Sequence, residues 1–471
     1  MNQTSFNRVI FPFLLVSILS LLGAWAVAEL GFDYRYLLYL ALFAAVVIIL
    51  LRGTASLQLG FTLWIWMFLL GYRTIHITSY FTLHPLIVFL VLLFVILLFI
   101  LRSQPQISLH LPGWVWIFSL FWVWGFITGA YFGLSWSSMI ADALNFIFLI
   151  PLFLIVLYLS RQPGFWKSSM FAFLGVGVLI SLLGSIEYYF PSLFHIIPGL
   201  VETNVEGLLS FSGFTRASFA FWGETSVGIL CALSLPMVWT LPHFYRSKLS
   251  VMMALVLTAI IGYAVYLSGT RDAWLMVLIT SIFIAYFAFS WRGVALSAVF
   301  WLIASRFFSA QMWTLILSIS TPLVGAPITD TSLQKRILRQ QDAFQLALRN
   351  PLGVGWTGSG WVHGDFTQVA ANLGILAGII FILWYLHTLY RAWQRLRQSP
   401  QDFILQTLFL SFILCGLILA TEGVEVLAQF VMPVWFVWAL MEAYLQSKDA
   451  EGIAPQEENG KTLHPLTGLS R

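Results

Sequence analysis

The chain is poor in charge: Asp, Glu, Lys and Arg make up 9% of its 471 residues, against about 25% in an ordinary soluble domain. So few charges cannot solvate a protein of this size in water, which excludes a soluble globular enzyme. Cysteine is equally scarce. Cys231 and Cys415 both lie inside apolar runs and read as small core residues, not as a disulfide or a thiolate metal site. The net charge is only +4, with 23 basic residues scattered along the chain, whereas a nucleic-acid surface needs a clustered basic face. What the sequence has instead is 60% hydrophobic residues, including 42 Phe and 21 Trp. A chain of that kind has lipid for most of its solvent.

A helix crosses the roughly 30 Å hydrocarbon core with about 20 apolar residues. Runs of about that length lie near 9–28, 35–51, 57–72, 80–101, 112–131, 143–160, 168–189, 219–242, 250–268, 273–290, 293–307, 366–390, 403–420 and 426–446. The expected fold is therefore all-α: a polytopic integral membrane protein with about fourteen transmembrane helices (roughly 12–14). Ala26-Val27-Ala28 behind the first run has the small-x-small form of a signal cleavage site, but the long run that follows almost at once favours a retained helix. The chain divides into N-terminal helices (1–189), a second helical group with a first outer loop and an arginine turn (190–307), a long outer loop (308–365), C-terminal helices (366–446) and a polar tail (447–471). That tail is rich in Glu, Gly and Pro with almost nothing to bury, and reads as disordered.

Cytoplasmic loops retain Lys and Arg. With both termini inside, the cytoplasmic side collects Arg52, Arg102, Arg161, Arg246, Arg292, Arg391 and Arg395, while Glu29, Asp33, Asp142, Glu187, Asp330 and Asp365 fall outside. The two long connections, about 190–218 and 308–365, both fall outside as well, and loops longer than about 15 residues are usually functional. No inverted pair of Gly- or Pro-broken helices marks a transporter.

Arg216, Arg271, Arg336, Arg339 and His363 break the rule, since this topology puts them all on the outer face. Cations held beside lipid against the charge bias are functional candidates, with an anionic ligand as partner. The bland alternative is structural pairing with Glu202, Glu206, Glu224, Asp272 or Asp365. In Leu267-Ser268-Gly269-Thr270-Arg271-Asp272 one helix ends, Gly269 makes the turn and the next helix begins. Backbone N–H groups, a dipole end and a guanidinium fork together make a phosphate cradle. Arg216 stands before a polar break at the mouth of the next span, where Glu224 is placed to orient it or to act itself; Asp272 is a second orienting candidate.

The long loop carries an amphipathic helix over 335–349, with Arg336, Arg339 and Gln340 on one side and Ile337, Phe344 and Leu348 on another. It reads as an interfacial helix in the headgroup region. Asn350-Pro351 stops it, and 352–360, with Gly at 353, 355, 358 and 360, reads as a flexible turn leading to His363. Among arginines that histidine favours its neutral form and can accept a proton. There is no Asp-x-Asp pair, Walker loop, paired-Cys site or His-Glu-x-x-His, so neither metal nor cofactor is expected and side-chain cations must do a metal's work. Glu29 and Asp33, four apart, more simply cap a helix end in water.

The succession Ser268-Gly269-Thr270-Arg271-Asp272-Ala273-Trp274, then Arg336, then Asn350-Pro351-Leu352-Gly353-Val354-Gly355, then Trp361-Val362-His363-Gly364-Asp365 running on to Gly378, resembles the O-antigen ligase and polymerase superfamily. The resemblance covers about residues 210–390; the family's usual Ser-Arg-Gly-x-Trp stands here as Thr270-Arg271-Asp272-Ala273-Trp274. It implies a membrane glycosyltransferase of the GT-C kind in the bacterial inner membrane. The donor would be an undecaprenyl-diphosphate-linked glycan, with Arg216 and Arg271 on the diphosphate, Arg336 supporting them from the loop, and His363 catalytic. The acceptor would be lipid A core or a similar hydroxyl for a ligase, the next lipid-linked repeat for a polymerase, or a protein hydroxyl for an oligosaccharyltransferase. The rival from another class is bicarbonate or other anion transport. Transport predicts polar residues near mid-span, where this chain has few.

Overall fold

The computed structural model describes residues 55–70, 75–78, 81–83, 85–190 (without 105 and 108), 224–307 and 331–453 (without 361, 363 and 422–427). The first two expected spans, Arg216, His363 and most of the tail lie outside the described residues. The described chain is helical apart from one short antiparallel pair. Helix α1 (Ala55–Trp66) leads through a single 3-10 turn to β1 (Ile75–Thr78) and β2 (Phe81–Leu83), then α2 (Pro85–Ser103), α3 (Gly113–Tyr131), α4 (Trp136–Ile147), α5 (Leu149–Leu159) and α6 (Phe165–Tyr189). After the undescribed stretch come α7 (Glu224–Val238), α8 (Thr240–Tyr245), α9 (Lys248–Ser268) and α10 (Arg271–Ala304). The last group is α11 (Thr331–Arg349), α12 (Asp365–Leu373), α13 (Ile375–Gln398), α14 (Phe403–Thr421) and α15 (Ala428–Ile453).

Eight described helical stretches are long and apolar enough to cross a membrane: α2, α3, α6, α7 continued through α8, α9, α10, α13 and α14. The run at 143–160 is not one helix. It breaks at Phe148 between the amphipathic α4 and the short apolar α5. The runs at 273–290 and 293–307 are joined in α10, but Ser290 (φ 56°, ψ −145°) reverses the chain. Trp301 Nε1 donates to Ser281 Oγ at 2.6 Å, across 20 residues that a straight helix would spread over about 30 Å. Gly293 makes the reversal fit, because a Cβ there would lie 1.9 Å from the Ala285 carbonyl oxygen. The expected helix pair is therefore present as an antiparallel hairpin.

In lipid, helices gain nothing by hiding apolar surface from one another, so close packing and internal hydrogen bonds hold them. Aromatic side chains supply the packing where α13, α14 and α15 meet: Trp384, Trp435 and Trp438 are fully buried, Trp384 and Trp438 with ring centroids 4.6 Å apart. A second knot joins Trp64, Phe68, Phe173 and Phe436 of α1, its 3-10 turn, α6 and α15. Cys231 and Cys415 are buried and free, and Ser181 Oγ of α6 donates to Cys231 Sγ of α7 at 3.2 Å.

At the C-terminal end of α13 the bonds are ionic. Arg391 meets Glu442 of α15 at 3.1 Å and Asp449 at 2.7 Å, and the Thr388 hydroxyl donates to the other Glu442 oxygen. Tyr444 donates to Asp402, in the turn before α14, at 2.6 Å. Helix α15 runs on to Ile453, so the segment from residue 447 expected to be disordered begins as helix, held there by Asp449.

Candidate functional site

The arginine turn forms as the sequence suggests. Helix α9 ends at Ser268, Gly269 takes a left-handed conformation (φ 58°), and Thr270 is the N-cap from which α10 starts at Arg271. Thr270 makes no side-chain cap hydrogen bond; the first N–H groups of any helix lack intrahelical partners, and such a dipole end favours anions. Gly228 of α7 presses against the turn, where a Cβ would stand 2.5 Å from Ser268 Oγ. The backbone of Glu224, one turn earlier at the start of α7, is thereby brought to about 6 Å along the helix axis from that contact.

Helix α11 joins the turn from the long loop. Arg336 Nη1 lies 3.3 Å from Asp272 Oδ2, with the two side chains 24% and 19% exposed. One turn on, Gln340 Nε2 donates to the Ala420 carbonyl at the end of α14 at 3.1 Å. A Cβ on Gly364 would lie 2.8 Å from that Gln340 amide and 3.0 Å from the same carbonyl, so the residue after His363 sits where α11 and α14 meet. Ala343 and Ala347 pack with Val362 and Ala371 beneath. The opposite flank of α11 leaves Phe344 and Leu348 about half exposed, and Arg339 is exposed as well. The structure thus brings Arg271, Asp272, Arg336 and the N-terminus of α12 to one end of the bundle.

The glycine run is not the flexible turn expected of it. Val354 and Gly355 donate backbone bonds to Ala371 and Asn372 at 3.0 and 2.8 Å, Trp356 N donates to Gly125 of α3, and Ile375 N to Pro351. Two indoles add to this: Trp356 Nε1 bonds Trp122 O at 2.9 Å, and Trp124 Nε1 bonds Leu352 O at 2.8 Å. The glycines serve approach. Gly355 (φ 93°) lies so close to α3 that a Cβ would come within 2.1 Å of Gly129 Cα. A GxxxG pair, Gly125 and Gly129, which in membranes usually seats another helix, here seats a loop. The segment bearing His363 therefore departs from a fixed strip and enters α12 at Gly364 (φ 117°).

The polar face of α12 was not singled out in the sequence. Asp365, Gln368 and Asn372 are all buried, at spacings that place them on one face. Asn372 Oδ1 accepts from Ser359 N at 3.0 Å, whereas both amide atoms of Gln368, fully buried, have no hydrogen-bond partner among the described residues. A polar residue every three or four positions in an apolar stretch was the available signal. On the buried side of α4, between Met139 and Phe146, Asp142 is held by burial at a carboxyl pKa of about 7; α4 lies outside the candidate spans. Among the described residues no group of three His, Cys, Asp or Glu side chains converges.

No family model matches the chain, and no curated protein matches it either. The class comes from the fold: a helical protein with eight described stretches long and apolar enough to cross a membrane.

Proposed function

We propose that the protein is a membrane glycosyltransferase of the O-antigen ligase kind. In this reading it moves a glycan from undecaprenyl diphosphate to an acceptor hydroxyl, such as one on lipid A core, at the extracytoplasmic face of a bacterial inner membrane. The observation that carries it is the Arg336–Asp272 contact. It joins two of the segments on which the family resemblance rests, 64 residues apart in the chain, beside a helix N-terminus suited to phosphate.

Diphosphate is a good leaving group, so the enzyme has two tasks: to neutralise charge developing on it, and to deprotonate the acceptor. Arg271 and Arg336, with Arg216, would do the first through bidentate charge-assisted bonds. Asp272 holds the Arg336 guanidinium beside the turn until phosphate oxygens take it over. His363 would accept the hydroxyl proton, a contribution of typically about 10²- to 10⁴-fold. In-line attack on the anomeric carbon breaks its bond to the diphosphate oxygen and inverts the configuration, with no glycosyl-enzyme intermediate. Glu224 would orient Arg216.

The test is transfer by the purified protein from undecaprenyl-diphosphate glycan, with lipid A core, a second lipid-linked repeat and a hydroxyl-bearing peptide offered as separate acceptors. Transfer to the core sugar alone is the expected outcome; transfer to the repeat or the peptide reassigns the acceptor. Wild-type rates retained in both Arg271→Ala and His363→Ala reject the mechanism. Anion flux into proteoliposomes with no glycan present revives the transport reading.

A further inference from the structure

A lipid-linked donor has to bring its diphosphate to Arg271 from the membrane, so some surface must carry the chain next to the phosphates. Helix α9 shows a lipid-facing stripe of exposed side chains, Met252, Leu255, Val256 and Tyr263, on the spacing of one helix face. At its upper end the stripe changes character. Tyr263 and Tyr266 lie nearly parallel, 13° between planes with centroids 6.3 Å apart, and Tyr266 continues onto Trp274 of α10 at 8° and 6.4 Å. Three parallel rings from two helices thus make one continuous aromatic strip.

The strip is fixed at both ends. The Tyr189 hydroxyl of α6 hydrogen-bonds that of Tyr263, and Trp274 Nε1 donates to Val265 O at 2.9 Å. It also steps inward, from Tyr263 at 44% exposed to the half-buried Tyr266 and Trp274. Trp274 stands one helical turn from Arg271, hence on the same side of α10. An ordinary interfacial belt places each ring independently at headgroup depth. Here the rings are held parallel to one another and lead from lipid to a cation at a helix N-terminus.

We propose that Tyr263, Tyr266 and Trp274 seat the first prenyl units of a lipid diphosphate whose phosphates reach Arg271. This rests on the glycosyltransferase reading. The occupant follows from the two ends of the strip, one apolar and open to lipid, the other cationic. Within a bilayer the chain gains nothing from leaving water, so selection comes from close contact alone. Planar trisubstituted double bonds with methyl branches keep a fixed shape against the faces and edges of rigid rings, whereas a saturated acyl chain does not hold one shape.

The experiment uses the full chain in nanodiscs of phosphatidylethanolamine and phosphatidylglycerol, with a polyprenyl diphosphate carrying a diazirine in its second prenyl unit. Irradiation is expected to label the peptide spanning residues 259–278. Excess undecaprenyl diphosphate should reduce the label about tenfold, and extra phosphatidylglycerol should leave it unchanged. The paired substitution Tyr263→Leu and Tyr266→Leu should remove most of the label while inorganic diphosphate still protects Arg271 from a guanidinium-modifying reagent. Labelling elsewhere, or competition by phosphatidylglycerol as strong as by undecaprenyl diphosphate, overturns the assignment, and the wild-type map decides this even where the double variant fails to fold. Labelling of the strip without any glycan transfer leaves the seat standing and rejects the transferase reading; transfer with labelling elsewhere does the reverse.

Discussion

The two ends of α13 carry arginine chemistry of opposite kinds. At the C-terminal end Arg391 lies between Glu442 and Asp449, and both oxygens of the fully buried Glu442 are engaged, one by Arg391 and one by Thr388. At the N-terminal end Arg336 meets Asp272 at 3.3 Å across partly exposed side chains, and Gln368 is fully buried with neither amide atom bonded. Removing a buried charge from water is tolerable only when every lone pair is used. Both carboxylate oxygens of Glu442 meet that condition, and this end is a clasp. At the N-terminal end the buried Gln368 amide has no partner among the described residues, and a buried polar group kept without a bond is a candidate for function.

The largest expected effects separate the ends by readout. Arg271→Ala should lower glycan transfer by about 10²- to 10³-fold, the loss seen when one preorganised charge-stabilising donor is removed, with the thermal midpoint in detergent hardly moved. Arg391→Ala should do the converse. It leaves Glu442 buried without its cation and should destabilise by about 3–5 kcal/mol, read as a lowered midpoint, while the folded fraction transfers at the wild-type rate. Glu442→Gln, which keeps a partner for Thr388 without the charge, should fall between. An Arg391→Ala protein that melts normally and loses transfer would dissolve the contrast.

Much of this was legible beforehand, for identifiable reasons. The arginine turn could be read because Gly269 and a Ser/Thr pair punctuate two apolar runs, and local signals suffice for a helix boundary. The face of α11 could be read because its period puts Arg336 and Gln340 together. The stitched glycine strip could not. Its partners are backbone groups of α3 and α12, more than 200 residues apart in the chain, and a run of glycines looks alike whether it is loose or pressed against a neighbour. The ionic clasp was hidden for a similar reason: Arg391 and Arg395 satisfied the topology rule, so nothing called for partners.

Asp142 gives a pH test near the glycine strip. Burial raises its carboxyl from 3.8 to about 7, so between those values the folded chain binds a proton that the unfolded chain has released. Stability then falls as pH rises through that window and the loss is complete above about 7. Asp142→Asn removes the titration and should raise the melting midpoint at pH 8 by the equivalent of up to roughly 4 kcal/mol, with the advantage shrinking toward pH 4. A constant difference between variant and wild type across that range would mean that Asp142 holds a local structure and does not titrate.

The smallest effect is the most pointed. If Gln368 were an ordinary structural amide, Gln368→Met would leave a gap in bonding and lower stability. Its amide atoms have no partner among the described residues, so the near-isosteric Met removes a desolvated group and costs no bond; relief of an unmet buried polar group is worth about 1–3 kcal/mol. The expected result is a midpoint raised by the equivalent of about 1 kcal/mol. Thr388→Val at the clasp, which deletes a hydrogen bond to buried Glu442, should lower it by a comparable amount. Opposite signs for two fully buried polar deletions, one on α12 and one on α13, would follow from their difference in satisfaction, since burial is the same. Equal signs would mean that Gln368 has a bonded partner, and its amide would then be as fully satisfied as the Glu442 carboxylate.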